Sequence, residues 1–407
     1  MPNFMGYPRP DGSVGIRNHI VVLPIINCVN SVSEAIGRVF PEVIAITHAN
    51  GCTFDPVNNQ ECIDVFVGIG TNPNVGAVLL VSLGCETVPA NQVYDGIKAT
   101  GKPVELITVQ KCGGTVKAIQ QGIEHVHDFR KHLSSMERIV TPISELIIGT
   151  ECGASDSYSG ISANPAVGYV SDKFVDFGAT VILSEPSECI GAEEILSAQS
   201  ASAEIAREVV RVISETEGYL AQQCIDTDLI AALKLGERPD DYLVKLGADI
   251  APGNIEGGLS TIEEKTLGCI RKGGTRPIQE VVAYAKKPTK KGLIFMDGPG
   301  HDIESMVSFA AGGAQLIFFT TGRGTPAGCP VTPVIKVASN SELFEFLGDN
   351  MDVNAGEILN GSKSLSQVGE EMFRYALQVI NGQETKSEQL RCREFAIRRK
   401  GVNKCIF

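Results

Sequence analysis

Residues 149–168 read GTECGASDSYSGISANPAVG, and they follow the short apolar run Leu146-Ile147-Ile148. That run, bounded by Gly149, predicts a buried strand. The segment after it contains four Gly and four Ser but no Lys or Arg, so it has little to bury. Its many backbone N–H groups are free to face a ligand, which favours an anion such as a carboxylate. The alternative is a glycine-rich connector whose polar groups satisfy one another.

The same stretch contains side chains suited to catalysis and to substrate binding. Cys152 is a candidate metal ligand, and Asp156 is a candidate catalytic carboxylate. Hydroxyl and amide groups that could bind a substrate follow at Ser155, Ser159 and Asn164.

The chain before this stretch alternates between strand-like and helix-like segments. The strand-like runs are 20–26, 43–47, 78–83 and 104–109, and the helix-like runs are 33–40, 59–69, 91–99 and 116–133. This alternation is typical of a parallel, doubly wound sheet. Residues 134–144 have the character of a boundary. We therefore predict an α/β fold, with a Rossmann-like parallel-sheet domain over 1–141 and a larger α/β catalytic domain over 142–407.

Thiols follow the predicted strands in succession, and one histidine accompanies them. The residues in these positions are Cys28, His48, Cys52, Cys85, Cys112 and Cys152. Because the carboxyl ends of parallel strands share one edge, such side chains are expected to converge. A mixed His/Cys set suits Fe²⁺. We predict metal ligands at His48, Cys52, Cys85 and Cys152, with Cys112 as a fifth, and an iron–sulfur cluster as a variant. The alternative is that small cysteines simply pack well at strand ends.

Further polar groups extend the candidate site. Glu86 follows Cys85, and either Glu86 or His48 could act as the catalytic base. Lys265 supplies positive charge within the glycine-flanked segment 253–275. Thr321 and Arg323, in TTGRGTP after another predicted strand, could hold a carboxylate through a hydroxyl and a guanidinium fork.

Composition narrows the class of protein. A net charge of −13 argues against nucleic acid as the main partner. No apolar run is long enough to span a bilayer. The twelve cysteines include no CxxC pair, and the first residues do not resemble an export signal, so we expect a cytoplasmic protein with reduced thiols. Walker A, GxSxG and HExxH motifs are absent from the sequence.

Several longer motifs together resemble the altronate/galactarate dehydratase family. They are GYPRPDGSVGIRN (6–18), HANGC (48–52), LGCE (83–86), QKCGGT (110–115), the stretch 149–168, GNIEGGLSTIEEKTLGCIRKGGT (253–275), FTTGRGTPAGCPVTPVIKVASN (319–340) and MDVNAGEILNG (351–361). They cover nearly the whole chain. Two departures concern the substrate: Thr53 stands where many relatives have Gly, and SEPSECIGAEE replaces a SETTE-type segment.

The resemblance implies a lyase that depends on Fe²⁺ or Mn²⁺ and dehydrates a sugar acid to a 2-keto-3-deoxy acid. The full-length dehydratases carry an N-terminal SAF-type domain, so the resemblance also implies a separate small subunit of that type. The large subunit of sulfolactate sulfo-lyase is a similar relative. A homo-oligomer is compatible with this picture.

The implied chemistry is β-elimination next to a carboxylate. A base removes the α-proton, a divalent metal stabilises the resulting charge, and a leaving group departs from the β-carbon. Hydroxide needs a general acid, whereas sulfite leaves without one. Three hypotheses remain open at this point: a hydro-lyase on a sugar acid, a carbon–sulfur lyase on sulfolactate, and a non-catalytic metal- or anion-binding protein. The carboxylates Glu86, Glu151 and Asp156 beside the thiols weigh against the last.

Overall fold

A computed structural model describes residues 2–53, 55–223, 235–236 and 252–399. The predicted α/β class is confirmed: in the described residues, helices surround two parallel sheets, and a small antiparallel sheet joins them. No helix in these ranges has the length and apolar content needed to cross a membrane.

The first parallel sheet has four strands in the order β4-β3-β5-β6. The elements up to its end are β1 (Asn3–Pro8), β2 (Val14–Gly15), β3 (His19–Pro24), α1 (Asn30–Val39), β4 (Ile44–Ala45), α2 (Pro56–Thr71), β5 (Val75–Ser82), α3 (Ala90–Lys98), β6 (Val104–Thr108), α4 (Val109–Cys112), α5 (Thr115–Ser134) and β7 (Ile139–Pro142). Strand β1 pairs antiparallel with β2 and β7. The order of the four strands is that of a doubly wound sheet.

The second parallel sheet has seven strands in the order β10-β11-β9-β8-β12-β13-β14. Its strands are β8 (Ile147–Cys152), β9 (Thr180–Leu183), β10 (Ile278–Val282), β11 (Gly292–Met296), β12 (Leu316–Thr321), β13 (Val334–Ala338) and β14 (Val353–Asn354). Its helices are α6 (Ala163–Asp176), α7 (Glu193–Ala198), α8 (Ala203–Gln223), α9 (Pro252–Glu256), α10 (Ile262–Cys269), α11 (Asp302–Ala311), α12 (Ser341–Phe346), α13 (Leu365–Ile380) and α14 (Lys386–Gln389). The chain continues from β8 to β9 on one side, while β12 lies on the other side of β8. Ligands of such sheets bind at the carboxyl end of this switch point.

The two parallel sheets share a hydrophobic core along α2 and α11. Gly68 of α2 lies so close to Ala311 of α11 that a Cβ would overlap the Ala311 backbone. At the end of α2, the Asn72 amide donates to the carbonyls of Ala310 at 2.7 Å and Ala314 at 2.9 Å. Apolar side chains from both sheets, such as Leu80 and Phe319, belong to one buried cluster. This packing fixes the seven-stranded sheet against the four-stranded one.

Candidate active site

The loops at the carboxyl edge of the seven-stranded sheet form the candidate site. They follow β8 (residues 153–162), β9 (184–192), β11 (297–301), β12 (322–333) and β13 (339–340). Backbone strain marks two of them, because Ala154 and Glu185 have positive φ angles of 48° and 66° although neither is glycine. Such conformations tend to persist where the surrounding structure enforces them, often at functional sites.

Two thiols and two carboxylates meet in the interior behind these loops. They are Cys152 at the end of β8, Glu185 and Glu188 in the turn after β9, and Cys269 at the end of α10. One ligand atom from each lies within 4.8 Å of the others, and all four residues are buried. We call these four residues the quartet. Among the described residues, the quartet is the group of at least three His, Cys, Asp or Glu residues whose ligand atoms all lie within 4.8 Å of one another.

Two lysines contact the quartet. The Lys272 ammonium is fully buried, pairs with Glu185, and donates to the sulfurs of Cys152 at 3.1 Å and Cys269 at 2.8 Å. The Lys265 ammonium lies 2.6 Å from Glu188 Oε1, while the Cys152 thiol donates to Glu188 Oε2 at 3.1 Å. A connected path of ion pairs and hydrogen bonds therefore runs from Lys265 through Glu188 and Cys152 to Lys272.

The protonation states of the quartet follow from burial and from these two cations. Burial raises the pKa of Glu185 to about 8. The hydrogen bond to Cys269, together with burial, raises the pKa of Cys152 well above its usual range, and burial raises that of Cys269 to about 11. Burial alone would raise the pKa of Glu188, but the charges of Lys265 and Lys272 outweigh it and leave that pKa lowered. The neighbouring thiols and Glu185 likewise outweigh burial at Lys272 and keep its pKa well above normal.

Two further carboxylates extend the buried cluster. Glu151 is fully buried; one oxygen accepts from Ser305 Oγ at 2.5 Å, and Oε1 has no hydrogen-bond partner. Burial, reinforced by the charges of Glu185 and Asp302, raises the pKa of Glu151 well above normal. Asp302 begins α11, and its carboxylate lies against the bare Cα of Gly153, where a Cβ would overlap it. Burial and the charge of Glu188 raise the pKa of Asp302 to about 6.

The donor set fits a divalent metal ion. Six acidic groups (Glu151, Cys152, Glu185, Glu188, Cys269 and Asp302) lie around the two lysines Lys265 and Lys272, and His301 also acts on Asp302. Glu185 pairs with Lys272, while Glu151 Oε1 is buried without a hydrogen-bond partner among the described residues. Buried carboxylates without acceptor contacts are costly unless a cation coordinates them. The described structure therefore contains a buried Cys/Glu cluster that could hold a metal.

A cleft of about 200 Å³, lined by hydroxyl, amide, charged and aliphatic side chains, lies beside the quartet. Its lining includes five of the residues that we predicted from the sequence: Ser155, Asp156, Ser159, Asn164 and Lys265. Lys265 is the link between the two regions, since it lines the cleft and also pairs with Glu188. The cleft thus has a cationic side chain at the point where it meets the buried acids.

Asp156 is held by several donors rather than left free. Its carboxylate accepts from Ser159 Oγ at 2.7 Å, from Ser339 Oγ at 2.8 Å and from Asn340 Nδ2 at 3.0 Å. Asn164 is similarly engaged, because its Oδ1 accepts from Thr320 Oγ1 at 2.5 Å. These bonds connect the loop after β8 to the loop after β13, and α6 to β12, and they hold the wall of the cleft in place.

Thr321 is the last residue of β12 and Arg323 lies on the loop after it, and neither residue lines the cleft. The Arg323 guanidinium pairs with Glu256 at 2.8 Å, donates to the carbonyl of Gly253, and is partly exposed. The Thr321 hydroxyl accepts from the backbone N–H of Gly324 at 2.9 Å. Arg323 therefore already has an acidic partner within the chain.

The other predicted site residues lie on the four-stranded sheet, after its own strands. Both His48 nitrogens are engaged: Nε2 contacts the Pro24 carbonyl at 2.6 Å, and Nδ1 accepts from the N–H of Asn50 at 3.1 Å. The Glu86 carboxylate accepts from Ser82 Oγ and from the N–H of Gly84, and these bonds outweigh burial and lower its pKa. The remaining thiols of this group, Cys52, Cys85 and Cys112, are exposed or half-buried. None of them joins the quartet.

Most residues of the buried cluster were not predicted from the sequence. Glu185 and Glu188 lie in SEPSEC, directly after a strand that the sequence does predict, so position at a strand end was an available signal. The same holds for Asp302 in DGPGHD after β11. Cys269 and Lys272 carry no such signal, because Cys269 is the last residue of a helix and Lys272 follows that helix.

Comparison with family models matches nearly the whole chain. Residues 6–134 match the second domain of D-galactarate dehydratase/altronate hydrolase. Residues 143–230 and 230–403 match the C-terminal domain of D-galactarate/altronate dehydratase.

Curated relatives give the same result. The chain is 34% identical over 397 residues to a (2R)-sulfolactate sulfo-lyase subunit beta from Chromohalobacter salexigens, covering 97% of both chains. It is 32% identical to altronate dehydratase from Bacillus subtilis, covering 98% of this chain and 78% of the relative. It is also 33% identical to galactarate dehydratase (L-threo-forming) from Escherichia coli, covering 95% of this chain and 74% of the relative.

Proposed function

Because the chain belongs to the D-galactarate/altronate dehydratase family, we propose that it is a lyase that eliminates water from a sugar acid such as altronate or galactarate. The product would be a 2-keto-3-deoxy acid. The observation that supports this proposal most strongly is the quartet, because it places buried acids and two ammonium groups beside a cleft at a sheet switch point.

The metal in this proposal is Fe²⁺, held by Cys152, Glu185, Glu188 and Cys269. Thiol ligands favour iron over the harder Mn²⁺, although the two carboxylates would accept either ion. When bound, the ion would act as a Lewis acid that increases the acidity of the substrate's α-proton.

A second hypothesis places the metal at the four-stranded sheet. Its strand-end thiols Cys52, Cys85 and Cys112, near His48, could hold an iron–sulfur cluster, in which the sulfurs stand further apart than around a single ion. The two hypotheses differ in which thiols the metal requires, and this difference can be measured.

Side chains of the protein would bind the substrate, position the wall of the cleft and stabilise the developing charge. Lys265, at the junction of cleft and quartet, would bind the substrate carboxylate, with Ser155, Ser159 and Asn164 along the wall. Asp156 would keep that wall in position through its four contacts with Ser159, Ser339 and Asn340. Lys272 and Lys265 would stabilise the negative charge that develops when the α-proton leaves.

Asp302 is the carboxylate best suited to remove that proton. It interacts with Glu188 and Lys265, so it stands at the junction where we place the substrate carboxylate. With a pKa of about 6 it is ionised at neutral pH and more basic than an ordinary aspartate.

A carbon–sulfur lyase is the second candidate function. It rests on the 34% identity to a sulfolactate sulfo-lyase subunit over 97% of both chains. Sulfolactate also carries a hydroxyl and a carboxylate on its α-carbon, so the same binding groups would serve. That relative is described as a subunit, which supports our proposal that a small second subunit of the SAF type binds this chain.

We also propose that the protein is cytoplasmic, because a reducing compartment would keep its thiols reduced.

The proposed function is tested by identifying products. Protein purified without oxygen and loaded with Fe²⁺ is incubated separately with altronate, galactarate and (2R)-sulfolactate. We expect a 2-keto-3-deoxy acid from at least one sugar acid and no sulfite. Sulfite from sulfolactate, with both sugar acids unchanged, would establish the second candidate function instead. If no substrate is consumed, even with a small subunit from a relative added, both are contradicted.

A further inference from the structure

A second cleft, of about 430 Å³, borders the turn that carries Glu185 and Glu188. Helix α8, the loop after β11 and Arg398 form its walls. His301, on the loop after β11, lines it and is exposed to it. The mechanism derived above does not use this cleft.

The second cleft reaches the quartet through Ser187. This residue lines the cleft and stands between Glu185 and Glu188 in the chain. Its hydroxyl is buried and has no hydrogen-bond partner among the described residues. A buried hydroxyl is rarely left unsatisfied, so its position at the cleft indicates a ligand or a solvent molecule there.

The loop that carries His301 is packed directly against the site. At Gly298 a Cβ would overlap Ser184 Oγ, so the loop lies on the start of the turn that carries Glu185 and Glu188. His301 precedes Asp302, whose carboxylate lies against Gly153, the residue after Cys152. Asp302 and Glu304 both interact electrostatically with the imidazole. His301 therefore stands beside the proposed base.

His301 is also the histidine best placed to transfer a proton to a bound substrate. It is the only histidine in the sequence after residue 132. Of the earlier ones, His48 has both nitrogens engaged, and burial makes His19 hard to protonate, lowering its pKa to about 3. An imidazolium, which carries a proton on both ring nitrogens, is the commonest side-chain general acid in enzymes.

We propose that the leaving group enters this second cleft and that His301 is the general acid that protonates the leaving hydroxyl. This inference rests on the proposed dehydration. The base accepts the α-proton, and the electron pair of the C–H bond forms the double bond between the α- and β-carbons. The β-carbon–oxygen bond breaks, and the departing oxygen takes a proton from His301 to leave as water. The enol tautomerises to the keto acid, and solvent in the cleft returns a proton to the imidazole.

A general acid matters only for a poor leaving group. Hydroxide requires protonation as it departs, whereas chloride leaves as a stable anion. The loss caused by removing His301 should therefore depend on the leaving group. A residue that only supports the fold would affect both reactions equally.

The test compares two substrates in the iron-loaded enzyme. One is the sugar acid that the wild type dehydrates, and the other is its analogue with chlorine in place of the leaving hydroxyl. We expect His301→Gln to lower kcat for the hydroxy acid on the order of 10²-fold and to change kcat for the chloro analogue by less than about threefold. His132→Gln, which alters an exposed histidine on α5, should leave both unchanged.

Each other outcome is decisive. Equal loss on both substrates, or loss on neither, would overturn the role of His301 while the wild-type reaction still supports the proposed function. A wild type that converts no hydroxy acid but releases sulfite from sulfolactate contradicts the dehydration itself and, with it, any need for this acid.

Discussion

Replacement of Lys272 by methionine is expected to destabilise the protein more than any other single change in the cluster. Lys272 is fully buried and is the cation shared by Glu185, Cys152 and Cys269. Without it, the acidic groups lose their compensating charge and remain out of reach of water. Breaking a buried ion pair by removing one partner costs about 3–5 kcal/mol.

A double variant separates lost charge balance from lost packing. Lys272→Met combined with Glu185→Gln removes both charges of the pair, so it should recover part of the free energy of unfolding lost in Lys272→Met. Denaturant unfolding of the metal-free proteins at pH 9, above the pKa of about 8 of Glu185, measures both stabilities. If the double variant is less stable by the sum of the single costs, Lys272 does not act as the partner of Glu185.

Replacement of Asp302 by asparagine is expected to lower kcat by about 10²–10⁴-fold, because the amide keeps the shape but cannot accept the α-proton. The variant should fold normally, since a neutral side chain at this site removes a carboxylate that burial disfavours. Asp352→Asn is the matched control. It is also a half-buried aspartate with a raised pKa, but it accepts a hydrogen bond from Tyr375, lies directly before β14 and lines neither cleft.

The pH profile gives a second measure of Asp302. A base with a pKa near 6 must be deprotonated to act, so kcat/KM should rise with pH up to about 6. A bound metal would add positive charge and move this rise to lower pH. Normal turnover in Asp302→Asn would assign the base to another residue.

Much of the fold could be predicted from sequence because its signals are local. The alternation of apolar runs and helical segments before residue 134 predicts parallel strands, and β3, β5 and β6 lie where the pattern places them. The apolar run Leu146-Ile147-Ile148 likewise predicts a strand, which is β8, and the stretch 149–168 predicts the polar loop after it. Short-range periodicity carries this information.

The site was harder to predict because it depends on which strands share a sheet. The expectation that every strand-end thiol converges assumes one sheet, whereas Cys52 and Cys85 follow strands of the four-stranded sheet and Cys152 follows a strand of the seven-stranded one. Cys269 and Lys272 reach the quartet through contacts between distant segments. One such contact is the close approach of Gly160 and Gly268, where neither position has room for a Cβ.

The most direct test of the account is metal stoichiometry in two paired variants, loaded with Fe²⁺ without oxygen and freed of excess ion. One variant is Cys152→Ser with Cys269→Ser, and the other is Cys52→Ser with Cys85→Ser. Both remove two thiols, but only the first pair belongs to the quartet. We predict that the first variant loses bound iron and turnover while remaining folded by circular dichroism, and that the second keeps one iron per chain and its turnover. Iron retained in the first variant and lost from the second would contradict the quartet as the metal site and place the metal at the four-stranded sheet.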